Sequence, residues 1–367
     1  MMGLKEIQRR KFQFGLIALV VTLISYLVLM INGLGIGLNE QAGSALRRLN
    51  ADALAYAQSS DVSLIRSELS AETIDEISRT NGVSEWAPLG YVGVNVRGGE
   101  GDVTPAAFLG YEPGSIAEPH VTGGRALTPG DERGLLADAT FLKAAGLSVG
   151  DRVTVSSRLN EFEFTIVGEI SEGYFFFRPV VYLLLDSWRE VKYGSGDAQL
   201  PVASVVLLKG RGLVGGATAG YEIVSKGTAF ANIEGVQGQD ATVNALRFFG
   251  FLIGALVIGI FFYVLTLQKV VQIGLLKALG ASSAYIFRQL LAQVLAVTIV
   301  GVAISVPLAY ATDTALNQLP QTVPIAFTGG TFILTSVLIV ATGIIGALFS
   351  VRQMVRVDPI IALGQQQ

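Results

Sequence analysis

Residues able to do chemistry are few in this chain, and their spacing is against them. Glu161 and Glu163 stand two apart in a strand-like stretch, which puts both carboxylates on one solvent face rather than across a reaction centre. His120 is the single histidine and lies in a Pro- and Gly-rich segment, EPHVTGG, so the chain holds neither a multi-histidine metal centre nor an H-E-x-x-H pair. Cysteine is absent, which excludes disulfides, thiolate metal sites and a thiol nucleophile. The dipeptide Gly-Lys never occurs, so no G-x-x-x-x-G-K-[ST] loop cradles a phosphate, and no G-x-S-x-G elbow exists. What remains is a basic group, Lys269, Lys277 and Arg288, in an amphipathic stretch that interrupts two apolar runs. Its use is contact, not catalysis.

The elements that carry this group are membrane spans. Apolar residues make up 51% of 367, only 15% are charged, and the mean hydropathy is +0.54. A soluble domain carries roughly 25% charge. Phe248 to Leu267 runs about 20 residues without a charge, enough to cross a ~30 Å hydrocarbon core. Four spans are expected, at 13–38, 244–267, 289–312 and 331–350. The first is too long for a signal peptide and has no small-residue cleavage site close behind it, so it reads as an uncleaved anchor. Gly33, Gly35 and Gly37 at its outer end either admit a close neighbour or loosen the helix. The span cores contain no charge, which argues against a proton-coupled pump. The net charge of −3 gives no reason to expect nucleic acid as a partner.

Orientation follows from cations near the membrane. The arm 1–12 has Lys5, Arg9, Arg10 and Lys11; the elbow 268–288 has three cations; the tail 351–367 has Arg352 and Arg356; the loop 313–330 has none. Both termini and the elbow are therefore expected in the cytoplasm, with residues 39–243 outside a multi-pass cytoplasmic membrane protein. That insertion reads as an α+β domain. Leu46–Tyr56 and Ala71–Arg79 have helical spacing, the latter capped by Ser70. Strands are expected at Tyr91–Val96, Arg152–Val155, Phe162–Val167, Val180–Leu184 and Val202–Leu208, and a short helix from Asp138 to Ala145 ended by Gly146. The domain is expected to divide into two lobes. Three consecutive phenylalanines in Tyr174-Phe175-Phe176-Phe177-Arg178-Pro179 cannot all face one side of a strand.

The elbow, Gln272-Ile273-Gly274-Leu275-Leu276-Lys277-Ala278-Leu279-Gly280-Ala281-Ser282, resembles the E-I-G-I-L-K-A-L-G-A-S segment of FtsX-like/MacB-type ABC transporter permeases. The tail Arg356-Val357-Asp358-Pro359-Ile360-Ile361-Ala362-Leu363 is similar to that family's closing R-x-x-P-I-x-A-L. Gly124-Arg125-Ala126-Leu127, then Gly146 to Val153 and Phe164 to Gly168, resemble the MacB-type periplasmic core. Gln272 departs from the pattern, where many members carry an acid. Gly259 to Lys269 looks most like the HrtB-type haem exporters.

The resemblance implies an α-helical membrane protein with four transmembrane helices and a large extracytoplasmic α+β domain inserted between helices 1 and 2. It implies a permease subunit without enzymatic activity of its own. Two copies of an ABC ATPase, using ATP and magnesium, would drive two copies of this chain in a lipid bilayer. Gln272, Gly274, Leu275, Leu276, Lys277, Leu279 and Gly280 would form the coupling helix, bracketed by Gly274 and Gly280, with Leu275, Leu276 and Leu279 as the apolar face laid in a cleft of the ATPase and Lys277 beside it. No cofactor is expected on this chain; haem or a drug would be cargo. A haem exporter needs aromatic walls and an oxygen, sulfur or nitrogen ligand, for which Met30, Asn32, Glu40, Tyr174 and Tyr182 are candidates. The alternative is an FtsX/LolCE-like mechanotransmitter that regulates an outside enzyme or moves lipoproteins.

Overall fold

The computed structural model describes residues 11–98, 103–157, 160–194, 200–215, 217–218, 220–268, 270–316 and 323–354. Two compact units emerge: residues 1–37 with 240–367, and residues 38–239.

The first unit is built on four long helices, each apolar enough to cross a membrane. They are α1 (Lys11–Arg48), α6 (Val236–Leu267), α8 (Ser283–Leu316) and α9 (Gly329–Met354). All exceed the expected spans; the 38 residues of α1 would measure about 57 Å if straight. Apolar burial cannot hold helices together in lipid, so close packing must. Gly250 and Gly254 of α6 lie against Val28 and Ile24 of α1, Gly301 of α8 lies against Val21, and Gly259 of α6 meets the Gly346 carbonyl of α9. Around these crossings Phe14, Ile17 and Val21 close on Ile258, Phe262 and Leu265 of α6 and on Val294 and Val297 of α8. Pro307 sits inside α8 without ending it.

The second unit is the inserted domain. Its strands are β1 (Ala53–Ala57), β2 (Val83–Arg97), β3 (Val103–Tyr111), β4 (Val121–Gly124), β5 (Gly134–Asp138), β6 (Arg152–Ser157), β7 (Asn160–Ile170), β8 (Tyr174–Phe175), β9 (Arg178–Leu184), β10 (Val205–Gly210), β11 (Ala217–Thr218) and β12 (Tyr221–Ser225). The order β11-β12-β1-β10-β2-β3-β9-β5-β7-β4 makes one mixed sheet, with β6 bridging β2 and β7. The expected division into two lobes is not seen: the domain is one compact unit on one sheet, and β2 serves both halves of that sheet. Val83–Leu89 pairs with β10, and Gly90–Arg97 pairs with β3.

Central strands are covered on both faces, which is why they read as continuous apolar runs. On β1, Leu54 and Tyr56 enter one core with Ala42, Ala45 and Leu46 of α1. Ala53 and Ala55 enter another under α2 (Ala71–Ser78), with Ile74 and Ile77. A third core gathers Phe141 of α3 (Ala139–Ala145) and Trp188 of α4 (Leu185–Tyr193). Gly90 and Gly110 are cross-strand partners, and the Trp188 side chain occupies the hollow their missing Cβ atoms leave.

Several expectations hold. Ser70 accepts the Thr73 N–H at 3.2 Å and caps α2, and Gly146 ends α3 at φ 64°. A second is corrected. Leu46–Tyr56 is not one helix: α1 stops at Arg48 and Ala53–Ala57 is a strand between β10 and β12. Long-range pairing on both edges outweighs the local helical spacing.

Candidate functional site

Two local arrangements in the membrane unit, and one in the domain, hold the residues singled out above. The elbow comes first. Helix α7 runs Val270–Ala278, so Gly274 lies buried inside it rather than at its start. This corrects the expectation of two glycines bracketing the helix. The other end does close on glycine. Gly280, at φ 92°, donates its N–H to the Lys277 carbonyl at 3.0 Å, and Ala281 donates to the Leu276 carbonyl at 2.9 Å. That bond pair is the Schellman closure, which needs a residue free to adopt the left-handed region. Ser282 then accepts the Tyr285 N–H and opens α8.

The exposed apolar side of α7 also differs from expectation. Val271, Leu275 and Leu279 are 47, 55 and 78% exposed at i, i+4 and i+8, whereas Leu276 and Lys277 are half-buried. Gln272 is exposed beside the stripe, as is Arg288 on α8. At the same end of the bundle Gln13 donates from Nε2 to Gln268 Oε1 at 2.9 Å, tying α1 to α6. Lys269, the arm residues Lys5, Arg9 and Arg10, and the tail from Val355 lie outside the described residues.

The second arrangement is at the other end of the bundle. The three glycines of α1 admit close neighbours. Gly33 faces the Phe327 ring and accepts the Ala326 N–H at 3.1 Å, Gly37 meets the Pro324 carbonyl, and Gly35 faces Arg247 of α6. Met30 is half-buried and packs, with Tyr26, Phe251, Phe327 and Phe332, against a cluster of Val28, Leu29, Val302, Ala309 and Ile339. Phe327 and Phe332 stack at 4.6 Å. Asn32 uses its amide locally, donating to the Val28 carbonyl at 3.0 Å. Arg247, missed by reasoning on charge-free cores, sits just outside the run that begins at Phe248.

In the domain, α1 breaks its helical geometry at Gly43 (φ −171°, ψ 40°). The β8–β9 hairpin fills the break. Its two-residue turn, Phe176-Phe177, has both φ values positive, 51° and 60°. Two left-handed residues in succession match the strand twist of a tight hairpin, yet bulky side chains rarely accept that cost. The turn donates Phe176 N–H to the Ala42 carbonyl and Phe177 N–H to the Gln41 carbonyl, both at 2.8 Å. Ser44 Oγ accepts the Tyr174 N–H at 2.9 Å, and Arg48 Nη1 donates to the Ser171 carbonyl at 3.1 Å. The run of phenylalanines is thus divided among a strand, a turn and a helix seat.

The other candidates are engaged structurally. Glu40 pairs with Arg47 at 2.8 Å, and Arg47 lies over the ring of Phe230 on α5 (Lys226–Ala231). Tyr182 is shut in the domain core, edge-on to Tyr111, and burial pushes its phenol well above the ordinary range. Nearby, the buried Asp138 carboxylate takes the N–H groups of Glu172 and Gly173 at 2.7 Å and both Thr140 donors. Burial raises the Glu172 carboxyl, with His120 N–H acting against it. His120 itself is exposed. Among the described residues no cluster of three His, Cys, Asp or Glu is arranged to hold a metal.

Four helices long and apolar enough to cross a membrane, an inserted mixed-sheet domain and a short elbow helix set the frame for comparison with known proteins. Over residues 244–359 the chain matches the FtsX-like permease C-terminal family. It is similar along its length to a Staphylococcus haemolyticus protein provisionally named hemin transport system permease HrtB, with 26% identity covering 98% of each chain. The corresponding Staphylococcus epidermidis protein is 25% identical, covering 99% of each chain. An ABC transporter permease of Mycobacterium tuberculosis, Rv2563, is 23% identical, covering 99% of this chain and 98% of its own. Among solved structures, the periplasmic region of MacB from Actinobacillus actinomycetemcomitans is 15% identical at a TM-score of 0.35, covering 52% of this chain and 96% of that one. The YknZ extracellular domain gives 14% and 0.34, covering 48% and 100%.

Proposed function

We propose that this chain is the membrane subunit of an ABC-type efflux transporter, driven mechanically by a separate ATPase and exporting an amphipathic small molecule such as haem or a drug. The observation that carries the reading is the α7 elbow. Val271, Leu275 and Leu279 leave an apolar stripe uncovered on a short helix whose end is fixed by Gly280, between two membrane crossings. Such a stripe fits a groove on a partner. Two ATPases and a second copy of this chain complete the assembly, with ATP and magnesium used by the partner and none by this chain. The inner membrane holds it, both termini and elbow cytoplasmic and the domain outside, as the cation distribution supports.

The relatives' hemin names and the Met30 neighbourhood favour haem as cargo. Met30 brings a thioether to the cluster that Tyr26, Phe251, Phe327 and Phe332 also pack against, the chemistry a haem face and iron require. Asn32, Glu40 and Tyr174 are secondary contacts reached by rearrangement of their present bonds, and Tyr182 is reached only if the domain core opens. The mechanotransmitter reading draws support from the sequence, in which apolar runs flank the inserted domain on both sides.

Co-purification with the ATPase encoded beside this chain, followed by ATP turnover with and without haem, tests the reading. The expected result is no turnover by the chain alone, and haem-stimulated turnover by the complex that Leu275→Asp with Leu279→Asp abolishes. Turnover indifferent to those changes, or labelling of Lys277 from outside, sinks it. A Soret shift on adding haem, lost in Met30→Ala, supports the cargo; no shift at micromolar haem removes it.

A further inference from the structure

Resting on the reading of this chain as an exporter of an amphiphile, we propose that Arg247 is the cationic anchor for a carboxylate of that amphiphile, whose apolar body lies toward Phe251. Arg247 stands one residue before the charge-free run 248–267, at the edge of the hydrocarbon. A guanidinium N–H buried there calls for an acceptor. Yet the guanidinium has no carboxylate within ion-pair distance among the described residues. Its Nη1 donates to Asn244 Oδ1 at 3.1 Å, and its buried Nε has no acceptor.

The group is nevertheless held in place. A Cβ on Gly35 would lie 2.6 Å from Arg247 Nη2 and 2.6 Å from Val243 Cγ1, so the absence of a side chain at 35 is what admits the guanidinium. An arginine that only anchors a helix to lipid headgroups swings its head freely to water; it needs neither a glycine seat nor an amide one turn away to fix it. A fixed planar fork suits a carboxylate, which it can bind through two parallel N–H donors. One turn further along α6, on the same face, Phe251 packs against the cluster that Met30, Phe327 and Phe332 also cover. A fixed cation at the edge of the apolar run, with an aromatic ring one turn along the same face, matches one occupant: an apolar plate bearing acid groups on one edge. Charge complementarity selects the acid, and the fixed seat orients the plate edge-on to the rim.

The test uses the full chain with its ATPase in bilayer discs of phosphatidylcholine, with protoporphyrin IX and its dimethyl ester as probes read by absorbance and fluorescence. Arg247→Gln is expected to weaken binding of the diacid about tenfold or more, equivalent to about 1.4 kcal/mol, and to leave the ester unchanged. Arg247→Lys keeps the charge without the fork and falls between. Gly35→Leu, which unseats the guanidinium, should reproduce the loss. Equal weakening of both probes, or no change in either, overturns the proposal. So does loss of the diacid preference in wild type when phosphatidylglycerol is added, since the occupant is then lipid. Wild type that binds neither probe removes the porphyrin cargo along with this proposal, while the exporter reading stands or falls on the ATP-turnover test. Wild type that binds the diacid while Arg247→Gln is indifferent removes only the proposal.

Discussion

Gly259 of α6 and Gly346 of α9 touch backbone to backbone: a Cβ on Gly259 would lie 3.0 Å from the Gly346 carbonyl oxygen, and one on Gly346 would strike the Ala255 carbonyl. In lipid this approach is what joins the two helices. Gly346→Val should therefore cost about 1–3 kcal/mol through overpacking, read as a lowered unfolding midpoint in detergent. Gly329→Ala, with nothing within 4 Å of its added Cβ, serves as the silent control. Equal midpoints for the two variants would contradict the crossing.

The seat of the β8–β9 hairpin rests on Ser44, whose buried hydroxyl accepts the part-buried Tyr174 N–H. Ser44→Ala leaves that donor unpaired at a cost of about 1–3 kcal/mol. Faster hydrogen exchange at the Tyr174, Phe176 and Phe177 amides, with the β2–β3 amides unchanged, is the expected signature.

Closure of the elbow depends on one dihedral. Gly280→Val forces a β-branched residue to φ 92° and opens the bond pair at Leu276 and Lys277. The complex should keep its basal assembly but lose most stimulated ATP turnover. Gly238→Ala, on α6 with nothing within 4 Å of its added Cβ, should leave turnover intact.

A loop in the domain is set by Asp131. Hydrogen bonds from the Arg125 guanidinium at 2.7 Å, then from Thr128, hold this carboxyl well below the usual carboxylate range. Because the folded value lies below the unfolded one, the ionised form is the stabilising form. Its contribution is complete above about pH 4, the unfolded carboxylate value, and is lost as pH falls toward the folded value. The gap in midpoint between wild type and Asp131→Asn should be present at neutral pH and should shrink on acidification below about pH 4. A gap independent of pH would refute the assignment.

Residues with strong local signals were legible in advance. Charge-free runs gave four spans, Ser70 and Gly146 gave helix ends, and Gly280 gave the end of the elbow. Three features were not. Leu46–Tyr56 keeps helical spacing, and only its pairing with β10 and β12 makes part of it a strand. The Phe176-Phe177 turn carries no Asn or Gly, because its conformation is imposed by the carbonyls of Gln41 and Ala42. Arg247 and Gly35 are over two hundred positions apart, so the seat exists only once α1 and α6 cross.

The shared strand of the domain has a mechanical corollary. Since β2 hydrogen-bonds to β10 along Val83–Leu89 and to β3 along Gly90–Arg97, the two halves have one continuous backbone as a common spine. A torque applied to either half travels along that spine as strand twist instead of opening a seam. A linker at this point would absorb the torque; an unbroken fifteen-residue strand hands it on.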